Sequence, residues 1–284
     1  MRKDQSRWRS LTCGLCIVAT LLAACTPSAE HARERLERSG IPVETNSFVQ
    51  AAADRDVATI RLFVASGLEI NRLHSGTGVS PLMAAAGAGR TESVRLLIEK
   101  GGSVWQRSRG GETALMFAVH ACRSEPTVTA LLQAGSNPNA GDAKGDTPLF
   151  KFVASAGGPG CKQEVLSALL KAGAQPTQAD PHGLSALERA VQLRDAATVA
   201  TLLAAGADPN HAEPQEHRAA LHWAAAGGNA DIVRMLLRAG ANPDALDSQG
   251  RAPAHWANGN PSIEWLLREG SSRRTVPADR VLSQ

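Results

Sequence analysis

The sequence predicts an all-α solenoid of stacked helix pairs, and three recurring features predict it. The first is a four-residue phrase that returns at a nearly fixed interval. It reads Ser80-Pro81-Leu82-Met83, Thr113-Ala114-Leu115-Met116, Thr147-Pro148-Leu149-Phe150, Ser185-Ala186-Leu187-Glu188, Ala219-Ala220-Leu221-His222 and Ala252-Pro253-Ala254-His255, with spacings of 33, 34, 38, 34 and 33 residues. The second is an apolar run closing on a leucine pair and a glycine, as in Leu96-Leu97 with Gly101, Leu131-Leu132 with Gly135, Leu169-Leu170 with Gly173, Leu202-Leu203 with Gly206 and Leu236-Leu237 with Gly240. The third is turn chemistry after each glycine, as in Asp208-Pro209-Asn210 and Asn242-Pro243-Asp244. A period in this range marks a stacked repeat architecture.

Each element of the unit follows from its residues. Ser or Thr at the head of the phrase caps the first helix by accepting a backbone N–H, and proline next to it loses nothing, because that N–H has no helical partner. Small pairs follow, Ala85-Ala86, Ala118-Val119, Ala190-Val191 and Ala224-Ala225, which let neighbouring helices approach closely. The leucine pair on the second helix faces the adjacent unit, and the glycine ends that helix in a left-handed turn. Asx-Pro residues then carry the chain into the next unit.

In these features the chain resembles the ankyrin repeat family. The best unit runs from Leu221-His222-Trp223-Ala224-Ala225-Ala226-Gly227-Gly228-Asn229 through Ile232-Val233-Arg234-Met235-Leu236-Leu237 to Ala239-Gly240-Ala241-Asn242-Pro243. The resemblance covers residues 46–270 in six to seven units, and it implies an all-α ankyrin-repeat solenoid with projecting turns. A degenerate first unit starts near Asn46, with Ala51-Ala52, Ile60, Leu62-Phe63, Gly67 and Asn71 in register, and a short last unit ends in Trp265-Leu266-Leu267. Atypical terminal units are expected where an apolar face has no neighbour. The histidine of the family phrase survives only as His222 and His255. Met83, Met116, Phe150 and Glu188 replace it, so units two to five are expected to rely more on packing.

The N-terminus is a separate matter. Residues 1–24 carry a net +3 from Arg2, Lys3, Arg7 and Arg9 against Asp4, and the rest of the chain balances 26 basic against 26 acidic residues. The pI of about 8.7 therefore comes from this segment, and nothing beyond it argues for nucleic acid. The apolar run Leu11 to Ala24 is 14 residues long, short of the roughly 20 a membrane span needs. It closes on Leu22-Ala23-Ala24-Cys25, which resembles the lipobox of bacterial lipoproteins. That resemblance implies a signal peptide over 1–24 and lipidation of Cys25; an ordinary secretory signal is the alternative. Thr26 in place of aspartate implies sorting to the outer membrane, facing the periplasm. Residues 25–45 are expected to be the lipidated cysteine and a polar tether, and 271–284 a C-terminal tail.

With Cys13 and Cys16 in the cleaved segment, two cysteines remain, Cys122 and Cys161. Both fall in the loop between the helices of adjacent units, and the loop Gly157 to Gln163 carries the residues that stretch the period to 38. Stacked units lie roughly 10 Å apart, and the insertion could bring the two cysteines to bonding distance in an oxidising compartment. A disulfide between them is expected, against the alternative of two unpaired thiols.

Catalytic chemistry has no foothold: the sequence lacks Gly-x-Ser-x-Gly, Gly-Lys-Thr and His-Glu-x-x-His. The clusters Asn137 to Asp142, Asp208 to Asn210 and Asn242 to Asp247 lack the closing glutamate of a calcium loop and read as turns. His211 and His217 read as one solvated loop. No enzyme, metal or cofactor is expected, and a monomer is. The resemblance implies instead a protein partner held by the projecting turns and the exposed face of the first helices. Candidate contacts are Arg107, Arg109, Glu112, His120, Lys144, His182, Gln192, Glu213, Glu216, His217 and Arg251. Phe117, Trp223 and Trp256 read first as inter-unit packing. Immunity against a secreted toxin and envelope scaffolding or stress protection are the functional alternatives. Mass spectrometry without reductant is expected to recover Cys122 and Cys161 in one cross-linked peptide; two free thiols would remove the disulfide.

Overall fold

In the computed structural model the described residues are 28–54, 56–155 and 162–275. The expected signal segment 1–24, Cys25, Cys161 and the tail from 276 lie outside them. Among the described residues the chain forms fourteen α-helices and one 3-10 turn, with no strand.

A leading helix, α1 (Ala29–Arg38), precedes six helix pairs: α2/α3 (Thr45–Ala53, Val57–Ala65), α4/α5 (Pro81–Gly87, Thr91–Glu99), α6/α7 (Ala114–Ala121, Glu125–Gln133), α8/α9 (Pro148–Ala154, Lys162–Lys171), α10/α11 (Ala186–Gln192, Ala196–Ala204) and α12/α13 (Ala220–Gly227, Ala230–Arg238). A seventh unit pairs the 3-10 turn Pro253–Trp256 with α14 (Pro261–Thr275). First helices pack on first helices and second on second, so the stack has two layers.

Burial follows the repeat. Leu97, Leu131, Leu169, Leu202 and Leu236 are wholly buried between second helices, and the small residues Ala85, Ala86, Ala190, Ala224 and Ala225 between first helices. In the degenerate first unit, Phe48 and Phe63 stack at 5.1 Å between ring centroids. The six glycines that close the second helices, from Gly67 to Gly240, share φ between 82° and 91°. Cys122 closes α6 in the same left-handed region (φ 42°), where glycine stands in units two and six.

The phrase works partly as expected. Ser80, Thr147 and Ser185 accept the N–H of Met83, Phe150 and Glu188 at 3.2–3.3 Å. The Thr113 hydroxyl is instead buried without a partner. The expectation that units two to five lean on packing in place of the missing histidine needs correction. His222 Nδ1 accepts the N–H of Ala219 at 3.1 Å, and the replacements make the same bond. Met83 and Met116 sulfurs accept from Ser80 and Thr113 at 3.4 and 3.5 Å, and Glu188 from Ser185 at 2.7 Å. Any side chain with an acceptor at that reach suffices; only Phe150 offers none. His255, by contrast, is exposed.

The tether expectation is corrected as well. Residues 29–38 form α1, capped by Ser28, and α1 packs on α3 as the second helix of a preceding unit would. Ala32 and Leu36 are wholly buried, and Arg33 donates to the Ser66 carbonyl at 3.1 Å. Its charged face made the segment look solvated; its two buried apolar residues, four apart, lie on one helical face. The tail boundary moves too, because α14 continues to Thr275. Leu36→Ala is expected to cost about 2–5 kcal/mol in denaturant unfolding, and an unchanged midpoint would return this segment to a tether.

Candidate protein-binding surface

The turns between units form a continuous row along one edge of the stack. Each is locked from inside by one acceptor. Asp142 accepts the N–H groups of Lys144 and Asp146, Asp180 those of His182 and Leu184, and Asp247 those of Gln249 and Arg251, at 2.7–3.0 Å. The Nδ1 of His74 accepts from Gly76 and Thr77 in the first turn. Neighbouring turns bond to one another, Ala143 N–H to Gly110 O at 3.0 Å and Ser248 N–H to Glu216 O at 2.8 Å. They also touch so closely that a Cβ on Gly183 (φ 79°) would lie 2.1 Å from Pro214 Cδ.

This geometry sorts the predicted contacts. Arg107, Arg109, His120, Lys144, His182 and His217 are exposed. The two arginines also tie turns together, Arg107 donating to Gly141 O and Arg109 to Gly76 O, each at 2.5 Å. Gln192 is half-buried and accepts from Arg189 at 3.2 Å. Glu216 is half-buried and accepts from the Ser248 hydroxyl at 3.2 Å. Glu112 sits with Asp142 on the ammonium of Lys151, at 2.9 and 2.8 Å. Burial of Lys151 opposes its charge, but the two carboxylates win and raise its pKa.

Glu213 is a correction. As a candidate contact it should be accessible, yet it is only 5% exposed. Its carboxylate accepts the N–H groups of Gln215 and Glu216 at 2.9 Å and pairs with Arg218 at 3.2 Å. Burial pushes its pKa up, and the hydrogen bonds from Glu216 and Arg218 overcome that and hold it below the usual range. Glu213 is this turn's lock, in register with Asp180 and Asp247.

One residue not foreseen, Arg218, joins the expected contact Arg251 at the C-terminal end of the row. Arg218 lies over the Trp223 ring at 4.3 Å and over Trp256 at 5.6 Å, and Arg251 lies over Trp256 at 4.6 Å. Both arginines are held by buried carboxylates, Glu213 and Asp247, and Trp256 Nε1 donates to Asp247 at 3.1 Å. Each such contact is worth about 0.5–2 kcal/mol. The aromatics are therefore inter-unit packing that leaves half-buried faces beside cations. Arg218 stands 33 residues before Arg251, so the period itself could have found it.

One further pair is internal. Glu188 is wholly buried, with Oε2 3.1 Å from His211 Nδ1 and Oε1 without a partner. Burial pushes its pKa up, against the opposing pull of Ser185 and His211. The Asx clusters also turn inward: Asn139, Asn210 and Asp244 N–H groups bond to Asn137, Asp208 and Asn242 side chains at 2.8–3.2 Å.

Fold and surface together define a helical repeat scaffold that presents a row of turns. The ankyrin repeat model matches in three copies, over residues 48–142, 120–213 and 198–274, and the chain belongs to the ankyrin repeat family, a protein–protein interaction module. Among curated relatives it is 37% identical over 120 residues to SH3 and multiple ankyrin repeat domains protein 1 of Homo sapiens, covering 42% of this chain and 5% of that protein. It is 38% identical over 78 residues to the E3 ubiquitin-protein ligase KEG of Arabidopsis thaliana, 27% of this chain and 5% of that protein. The chain thus spans only a small part of the length of these relatives. The solved ankyrin repeat domain of Bcl-3 superposes with a TM-score of 0.68 at 28% identity, covering 80% of this chain and 97% of that one. One from Acinetobacter baumannii gives 0.62 at 30% identity, covering 67% and 97%.

The buried carboxyl makes a pH prediction. A raised folded pKa means that proton uptake favours the fold, so this contribution is complete below about pH 4.5, the ordinary value, and is lost as pH rises through the raised one. Glu188→Gln is expected to flatten the stability curve above pH 4.5 and to be at least as stable as the parent at pH 7. Denaturant unfolding between pH 4 and 8 checks it, and a slope equal to the parent's would refute it.

Proposed function

We propose that the chain is a non-catalytic binding module of the bacterial cell envelope that holds a protein partner on its turn row and first-helix face. The observation that carries this reading is the division of labour in the turns. Inward-facing acceptors fix the backbone, while Lys144, His182 and His217 point outward without being needed for the lock; Arg107 and Arg109 are exposed but also tie neighbouring turns together. A rigid frame with varied exposed tips loses little conformational entropy when it binds. The exposed His120 and the half-buried faces of Trp223 and Trp256 beside Arg218 and Arg251 extend the surface onto the first helices.

Anchoring rests on the residues before Cys25. A lipid on that cysteine, with sorting to the outer membrane, would place the stack in the periplasm, tethered by the few residues ahead of α1. In that compartment a Cys122–Cys161 disulfide would clamp units three and four. Capture of a toxin and scaffolding of the envelope are the two roles such a placement favours.

Affinity capture of the membrane-anchored protein, read by mass spectrometry, tests the binding reading. A partner recovered with the parent is expected to fall at least tenfold with Lys144→Glu plus His182→Ala, at unchanged thermal stability. Equal recovery from both would remove the turn row as the binding surface.

A further inference from the structure

The second helices need acceptors for their first N–H groups, and the chain shows how it supplies them. In unit one Asp56 caps α3, accepting the N–H of Thr59 at 3.0 Å and the Thr59 hydroxyl. In unit five Asp195 does the same for Thr198, at 3.2 and 3.0 Å. Asn229 and Asn260 cap units six and seven.

Unit two breaks this rule. The residue in register with Asp56 is Arg90, and it makes no cap. Its Nε turns back to the Ala53 carbonyl at 2.8 Å. A cation stands where the positive end of the helix calls for an anion. The residue in register with Thr59 and Thr198 is Ser93, which is wholly buried. Its hydroxyl has no partner, having lost the carboxylate its counterparts donate to. The next helix is also uncapped by its own Ser124, whose hydroxyl lies 3.0 Å from that of Thr91. Between the two helix starts lies a cavity of about 410 Å³, lined by Ser93, Ser124, Arg90 and Arg123. Glu92 also lines it, but its carboxylate is largely exposed and 3.9 Å from Arg95.

We propose that this cavity binds an oxyanion from outside the chain, a carboxylate or a phosphoryl group, in the place that the Asp56 and Asp195 carboxylates hold in their own units. The anion accepts the first-turn N–H groups and the Ser93 hydroxyl of α5, and Arg90 and Arg123 supply the countercharge. The site lies at the interhelix loops, the opposite end of each helix pair from the turn row. It stands or falls independently of the binding reading above.

Titration of the full chain with sodium phosphate and, separately, sodium acetate at constant ionic strength tests it. At least one is expected to bind saturably at one site and to raise the thermal midpoint by about 2–4 °C at ten times its Kd. Binding by phosphate alone assigns a phosphoryl ligand, by acetate alone a carboxylate, and by both the shared oxyanion chemistry. Ser93→Ala and Arg123→Gln are expected to weaken it about tenfold. Arg90→Asp installs the cap of units one and five, and is expected to raise the anion-free midpoint and abolish the response. No saturable binding of either anion, or undiminished binding by Arg90→Asp, overturns the proposal.

Discussion

Every interior unit of this chain is apolar on two opposite sides, and only a neighbour can cover them. Leu97, Leu131, Leu169, Leu202 and Leu236 reach complete burial because the next second helix lies against them. Stability in such a stack is a sum over units and shared faces rather than the property of one core. That constraint explains both ends. At the start, α1 stands where the second helix of a preceding unit would, and Leu36 covers the first pair. At the finish, Ala254, His255 and Asn258 are exposed where Leu221, His222 and Ala225 are buried one unit earlier. The last unit has shed its apolar outer side.

Stacking in register repeats the same electrostatic demands from unit to unit, and the chain meets them with several chemistries. The N–H at the head of the first helix finds a histidine nitrogen, a carboxylate or a methionine sulfur. The turn finds Asp142, Asp180, Glu213, Asp247 or His74. These are equivalent in geometry and unequal in protonation. Burial raises the pKa of Glu188, where a single carboxylate oxygen takes the helix bond and its partner oxygen is stranded. The Glu213 and Asp247 carboxyls are held low by several N–H donors each, which outweigh their desolvation.

The same demand separates structural charge from available charge on the turn row. Glu213 and Asp247 look like surface acids in a sequence but are spent on the backbone, whereas Lys144, His182 and His217 beside them hold no lock. Arg218 and Arg251 are intermediate: each is paired below with a carboxylate and covers a tryptophan above. A surface of this kind can vary its tips without disturbing its frame, because the acceptor and the tip are different residues of one turn.

Period, helix pairing, the left-handed glycines and the identity of the units were legible in the sequence, because each depends on contacts within about ten residues that recur with every unit. Three things were not. The role of residues 29–38 depends on an apolar face only two residues wide, which counts as a helix only when α3 is there to receive it. Glu213 and Glu216 are neighbours with the same side chain, and only the fold of the turn points one inward. Arg90 occupies a capping position whose emptiness is visible only when its guanidinium is seen turned to Ala53 and the Ser93 hydroxyl buried alone. The sequence by itself determined that the chain stacks, since local patterns repeat. The tertiary structure decided which polar groups the stack consumes and which it leaves for a partner, since that depends on directions in space that residue type does not carry.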